Sequence, residues 1–263
     1  MSQQEPLGEL NGYQLNQESE DLQVPLNKDW TISVLKSGSL NIKLYGARPS
    51  PPCVKIRTLL KFYDVPFTNV DGKKPDSPYK KVPVLDIGDR QVNDSYIIVK
   101  NLAPILAGSP LTPKQEELER MFTFELSTAL AKQSLNTSDL CKCGRFLGGG
   151  IGCFVSTCAC CISTCAKGPG ADGKGSGPEP KPELKSLQYY REKLEQELGG
   201  MSFFGGSSPS ITDVSLFGGL CIYAEAGASA IEKVLGDVSS PLYAWHESML
   251  ERTKGWSVFK PYP

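Results

Sequence analysis

Histidine is nearly absent from this sequence of 263 residues, which contains only His246. A zinc or iron site built from several histidines is therefore excluded. A Ser-His-Asp triad could use only His246, which lies in a helical pattern near the C-terminus, far from any nucleophile motif. Neither charge sign dominates, because 28 Lys and Arg residues face 29 Asp and Glu residues. We therefore expect no nucleic-acid partner attracted by bulk charge.

Cysteine is scarce outside one short stretch. Seven of the nine cysteines fall within residues 141–165, and only Cys53 and Cys221 lie elsewhere, whereas a disulfide framework would spread them along the chain. The first residues are polar and acidic, without the apolar run of a secretory leader or the Arg-rich composition of a transit peptide. These features predict a reducing, cytoplasmic setting.

Hydrophobic patterning divides the chain into three parts. Residues 1–38 form an acidic segment with few apolar anchors, which predicts a disordered tail. Residues 39–108 alternate strand and helix patterns in the order β-α-β-β-α, which predicts a small α/β domain. Residues 109–263 are mainly helical in pattern, and nine Gly or Pro among the 17 residues of 167–183 predict a flexible loop there. The predicted fold class is thus α/β followed by all-α.

Two short motifs of the α/β part could form a ligand site. A cis bond before Pro83 would turn the N–H and C=O of Val82 outward, where they could pair with an extended peptide. Asp94 and Ser95 open a helix whose positive end suits a carboxylate. The alternative is that Asp94 and Ser95 only cap the helix and that Pro83 only shapes a turn.

Three side chains near the first long helix could carry chemistry. Ser50 and Cys53 lie at the start of that helix, where the helix dipole stabilises a thiolate. Tyr45, at the end of the first strand pattern, is a second hydroxyl donor. Cys53 could instead be a buried structural thiol, and Tyr45 could be a core residue.

Basic residues surround these motifs, and helical spacing places Lys55 and Lys61 on the outward face. The group could attract an anionic ligand or simply form a solvated surface. Its members are Arg48, Lys55, Arg57, Lys80 and Lys81.

Residues 146–166 carry no charge over 21 positions, a length that could span a bilayer. Their Gly, Ser, Thr and Cys content would insert only weakly. Three interpretations stay open: a buried helix, a membrane-associated or acylated segment, and a metal or redox cluster. Cys158, Cys161 and Cys165 share one helical face, but tetrahedral zinc needs a fourth ligand. We therefore assign no metal site.

Five motifs resemble the glutathione transferase superfamily and, within it, the family of membrane-associated type 2 prostaglandin E synthases, over roughly residues 40–255. They are SPPCVKIR at 50–57, KVPVL at 81–85, QVNDSYII at 91–98, RFLGGG at 145–150 and the stretch from FGG to FGG at 204–219. The resemblance implies a thioredoxin-like or glutaredoxin-like domain followed by a helical glutathione-transferase-type domain. Residue 50 is serine where the family has its first cysteine.

The resemblance also implies a function. It implies an enzyme that binds glutathione and either isomerises a prostaglandin endoperoxide or transfers glutathione to a small-molecule electrophile. The expected catalytic residues are Ser50, Cys53 and Tyr45. The expected glutathione-binding residues are Val82, Pro83, Asp94 and Ser95. Because Ser50 replaces the cysteine, the alternative is a non-catalytic glutathione-binding or redox-sensing protein. Haem held by that cysteine is a further implication of the resemblance. Peripheral membrane association through 146–166 comes from the uncharged composition of that segment, and it stays open together with a homodimer.

Overall fold

The strand and helix order predicted for the first half is present in the structure, a computed structural model. The structure describes Leu26 and residues 30–48, 50–75, 77, 79–135, 184–225 and 228–253. The motif at 145–150, the uncharged segment 146–166 and the Gly/Pro-rich loop 167–183 lie outside the described residues. Among the helices that are described, none is both long and apolar enough to cross a membrane.

A four-stranded sheet with the order β2-β1-β3-β4 organises the N-terminal half. Its strands are β1 (Lys43–Tyr45), β2 (Thr68–Val70), β3 (Val84–Ile87) and β4 (Arg90–Asn93). β1 pairs in parallel with β2 and antiparallel with β3, and β3 and β4 form an antiparallel hairpin. Parallel neighbours need a crossover, and a helix supplies it between β1 and β2.

Three helices accompany this sheet: α1 (Ile32–Lys36), α2 (Pro51–Phe62) and α3 (Ser95–Leu106). α2 begins with two prolines, which fit the first turn because their missing N–H groups would have no partner there. α1 lies within the range predicted as a disordered tail, and its Leu35 is buried in the core. The predicted tail, 1–38, is therefore too long at its C-terminal end.

The second half is helical. Its elements are α4 (Pro113–Arg120), a π-helical segment (Met121–Leu126), α5 (Ser127–Leu135), α6 (Leu187–Leu198), α7 (Ile211–Glu225), α8 (Ser229–Leu235) and α9 (Pro241–Arg252). Thr112 and Gln115 form a complete capping box at the start of α4. α7 is apolar on nearly every side and buried from Ile211 to Tyr223, as expected for a central helix.

The two halves meet where α2 packs on α7. Gly218 of α7 permits this contact, because a Cβ there would lie 2.8 Å from Thr58 Cβ and 3.1 Å from Lys55 Cα. Any larger residue would push the helices apart. This close approach brings the start of α2 within reach of the C-terminal helices.

Candidate functional site

The residues around Pro83 and the start of α3 lie side by side. The Val82–Pro83 peptide bond is cis, and the backbone N–H of Asp94 donates to the carbonyl of Pro83 over 3.3 Å. Asp94 has a positive φ of 68°, and its carboxylate accepts from the backbone N–H of Tyr96 at 2.9 Å. Ser95 is the buried first residue of α3. The structure therefore brings the two predicted ligand-binding motifs together at one edge of the sheet.

Asp94 is electrostatically perturbed. Burial raises the pKa of its carboxyl, and the Tyr96 backbone N–H and the ammonium groups of Lys55 and Lys81 act in the opposite direction. The two nearby ammonium groups favour the carboxylate form of Asp94, which can pair with an ammonium group of a ligand. The positive end of α3 favours a ligand carboxylate next to that ammonium group.

Ser50 and Cys53 open α2, and both are enclosed. Ser50 is the N-cap residue, is 1% exposed, and accepts at its carbonyl from the N–H groups of Cys53 and Val54. Cys53 is 0% exposed, under Gly46: a Cβ on Gly46 would lie 2.4 Å from Cys53 Sγ and 3.9 Å from Val82 Cβ. The Cys53 thiol therefore sits in the core beside Val82, as in the structural-thiol alternative.

Tyr45 ends β1 and is half-buried. The ammonium of Lys74 lies 5.8 Å from the centroid of its ring and also contacts Asp86 at 2.7 Å. The contact is a cation–π arrangement, so Tyr45 packs against the segment that leads to Val82.

Sequence reasoning missed a polar cluster that holds this segment in place. Gln91 donates its side-chain amide to Ser77 Oγ at 3.0 Å and to Asn93 Oδ1 at 2.8 Å, and Ser77 Oγ also accepts from the N–H of Tyr79. The motif at 91–98 contained the signal, since Gln91 and Asn93 are two positions apart on β4 and their side chains therefore share one face of the strand.

A buried ion pair was also missed, and the prediction of an outward Lys55 is wrong. Lys55 is 1% exposed, and its Nζ lies 2.5 Å from Oε1 of Glu119, which is 2% exposed. Arg57 is buried too, and donates to the carbonyl of Arg48 and to Asn69. The basic group is therefore not one solvated face, although Arg48 and Lys80 are exposed.

A cavity of about 260 Å³ lies where the linker between the halves meets α7. It is lined by residues that include Tyr63, Ser109, Gln115 and Ser210. Burial, and secondarily the charge of Asp213, raises the pKa of the Tyr63 hydroxyl. Its lining residues do not include Val82, Pro83, Asp94 or Ser95, so this cavity is separate from the candidate site.

Comparisons with known proteins fit this geometry. Residues 51–139 match the family described as the glutathione S-transferase N-terminal domain. A "possible" glutathione S-transferase from Rhodopseudomonas palustris superimposes with a TM-score of 0.52 at 16% identity, over 84% of this chain and 99% of that chain. A mutant of human glutathione-S-transferase T1-1 in its apo form gives 0.51 at 17% identity, over 81% of this chain and 84% of that chain.

The chain has the glutathione transferase fold. The predicted fold class, a thioredoxin-like domain followed by a helical glutathione-transferase-type region, is confirmed. The family match covers the N-terminal part of the chain, and the structural likeness extends the shared fold to the helical part.

One curated relative resembles part of this transferase-like chain. Prostaglandin E synthase 2 of Mus musculus is 32% identical over 116 residues, which cover 40% of this chain. The match spans 29% of the length of the mouse protein.

Proposed function

We propose that this chain binds glutathione in the groove between Val82 and the start of α3. The observation that carries the proposal is the hydrogen bond from the Asp94 N–H to the Pro83 carbonyl, which places both motifs at one site. In this proposal the backbone of Val82 pairs with the cysteinyl residue of glutathione, as an added strand does. The N–H and hydroxyl of Ser95 receive the γ-glutamyl carboxylate.

The charges of the groove match the ligand. Glutathione carries two carboxylates and one ammonium at neutral pH. The positive end of α3 and the half-buried Lys81 favour the carboxylates, and Asp94 favours the ammonium. The residues present therefore fit glutathione.

The proposed activity is isomerisation of a prostaglandin endoperoxide or transfer of glutathione to an electrophile. Bound glutathione would supply the sulfur nucleophile. Ser50, the N-cap residue of α2, is 1% exposed, so its hydroxyl would donate a hydrogen bond to that sulfur only where the start of α2 opens toward the ligand. The dipole of α2 would favour the anionic form of the sulfur. Tyr45, at the adjacent end of β1, is the second hydroxyl in this proposal.

Haem fits this site poorly. The thiolate ligand that the prostaglandin synthase resemblance implies is replaced by Ser50, and Cys53 is enclosed by Gly46. His246 is buried in α9 against Phe217. Among the described residues near Val82 and Ser95, no thiol or imidazole is exposed for axial ligation of haem.

Calorimetric titration of the full chain with glutathione tests the binding proposal. Asp94→Asn keeps the hydrogen-bonding shape but removes the charge, and we expect it to raise Kd about tenfold. Ser186→Ala is the matched control, because Ser186 caps α6 through the N–H of Tyr189 and lies in the other half. No heat with wild-type protein would refute the proposal, and equal loss in both variants would indicate a folding effect.

A second candidate is a glutathione-binding protein without turnover. The serine at position 50 and the enclosure of Cys53 favour it, because neither provides an accessible protein thiolate. Turnover of a prostaglandin endoperoxide and of chlorodinitrobenzene, measured with glutathione present, separates the two candidates. Saturable binding with neither turnover would favour the non-catalytic function.

A further inference from the structure

Three elements converge on the carboxylate of Glu119, at the C-terminal end of α4. Lys55 of α2 and Thr123 of the π-helical segment donate to Oε1 at 2.5 and 3.2 Å, and Ser215 of α7 donates to Oε2 at 2.6 Å. Lys55 Nζ also donates to Thr123 Oγ1 at 2.7 Å. A buried ion pair is tolerated when further hydrogen bonds satisfy its members, and this pair meets that condition.

The same π-helical segment also contacts the start of α3. The ring of Phe122 lies 5.7 Å from Lys55 Nζ, and the ring of Phe124 lies 5.5 Å from the ring of Tyr96. Tyr96 is the residue whose N–H holds the Asp94 carboxylate. One segment of the C-terminal half thus supports both helix N-termini of the groove, and π-helical turns frequently occur at functional sites.

We propose that Lys55 is a positioning residue of the glutathione site, which through Glu119 holds the starts of α2 and α3 against the π-helical segment. Glutathione affinity would then depend on a carboxylate of the C-terminal half that does not touch the ligand. This inference rests on the proposed glutathione binding. The ammonium of Lys55 also acts on Asp94, where it favours the carboxylate form.

A stability role alone would not explain the pair well. Replacement of a buried ion pair by apolar residues of similar size is often neutral or stabilising, whereas loss of one partner is strongly destabilising. Stability and affinity can therefore be separated by comparing a single with a double substitution.

The experiment measures the melting temperature and the glutathione Kd of the full chain in three variants. Lys55→Met should lower the melting temperature, because Glu119 stays buried without its cation. Lys55→Met combined with Glu119→Met should restore the melting temperature but leave Kd about tenfold above wild type. Lys114→Met is the control, because it breaks a partly exposed ion pair in which Lys114 Nζ lies 2.8 Å from Glu197 Oε2. Both residues are distant in sequence from the proposed glutathione site, so we expect the glutathione Kd to stay unchanged.

The outcomes distinguish the positioning role of Lys55 from the proposed glutathione binding. If the double variant recovers both the wild-type Kd and the wild-type melting temperature, the positioning role is overturned, whereas the proposed glutathione binding stands. Absence of wild-type binding would overturn the proposed function and this inference together. If the double variant does not fold, Thr123→Val provides the test, because it removes one donor to Glu119 and keeps the ion pair. We expect the glutathione Kd of Thr123→Val to rise about threefold. An unchanged Kd would overturn the proposal.

Discussion

Trp245 donates its indole N–H to Asp213 Oδ1 over 2.9 Å, which joins α9 to the first turn of the central helix α7. The same carboxylate accepts from the backbone N–H groups of Phe204, Gly205 and Ser210, and from the Ser210 hydroxyl. Asp213 is therefore the meeting point of a loop and two helices, and it is fully buried.

Asp213→Ala should destabilise the fold strongly. Ser210 and Asp213 have the sequence spacing of a capping box, whose partial loss costs about 1 kcal/mol. The structure adds the Trp245 indole, which would become a buried donor without an acceptor, and part-buried N–H groups of the loop. One buried donor without an acceptor costs about 1–3 kcal/mol, so together with the lost cap we expect a loss of roughly 3 kcal/mol.

Urea unfolding of the wild type and Asp213→Ala measures this loss. Asp237→Asn is the control, because Asp237 also accepts from a nearby residue, Ser239, but is fully exposed at the protein surface. We expect its unfolding midpoint to match the wild type. A loss near 1 kcal/mol in Asp213→Ala would mean that the capping interaction alone matters.

Local patterns predicted the element order of the N-terminal half, β-α-β-β-α, but not the contacts between distant segments. Pro83 directly precedes β3 and Asp94 directly follows β4, and because these strands form one hairpin the two residues lie close together. The helical pattern around Lys55 predicts an exposed side chain, because its partner Glu119 lies 64 positions away in the sequence. The hydrophobic periodicity of α2 cannot predict that Lys55 is paired with Glu119, because burial of a charged side chain depends on the whole fold.

Gly46→Ala should strain the start of α2. Its new methyl group would lie 2.4 Å from Cys53 Sγ, and overpacking of this kind costs about 1–3 kcal/mol. Cys53→Ala should relieve the strain, so the double variant should be more stable than Gly46→Ala alone. A urea-unfolding cycle of the four proteins measures the coupling, and additive effects would contradict the contact.

Labelling with a thiol reagent gives an independent check on Cys53. The thiol is buried in the native fold, so Cys53 should react only after unfolding in urea. Mass mapping of the labelled peptide identifies the site. Rapid labelling of Cys53 in the folded protein would show that the start of α2 opens, and would restore Cys53 as a candidate nucleophile.

Ser50→Cys should create thiol-disulfide activity. The new thiol would occupy the N-cap position of α2, where the helix dipole lowers a thiol pKa. It would also lie three residues before Cys53, at the spacing of a redox pair. We expect reduction of a glutathione mixed disulfide to increase at least about tenfold over wild type.

Ser50→Ala is the matched control for that experiment, because it changes the same buried position without adding sulfur. Ser50→Cys with Cys53→Ala then separates monothiol from dithiol chemistry. Equal activity of Ser50→Cys and Ser50→Ala would place the limitation in access to the groove rather than in the missing thiol.

His246 should make the fold less stable as the pH falls. Its side chain is buried in α9 against Phe217, and within the described chain its Nε2 has no hydrogen-bond partner. Burial lowers the pKa of His246 below 6.5, and the nearby Glu247 opposes this only in part. The unfolded chain therefore binds the proton more readily, so the stability contribution is present above about pH 6.5 and is lost as the pH falls toward the folded-state pKa.

Urea unfolding at pH 8 and pH 5.5 tests this dependence. His246→Gln removes the only imidazole of the sequence, so the difference in unfolding free energy between wild type and variant isolates its titration from that of the carboxylates. We expect wild type to lose more stability than His246→Gln between the two pH values, because only the wild type has an imidazole that binds a proton more readily in the unfolded chain than in the folded one. A parallel loss in both proteins would mean that His246 titrates as it does in the unfolded chain.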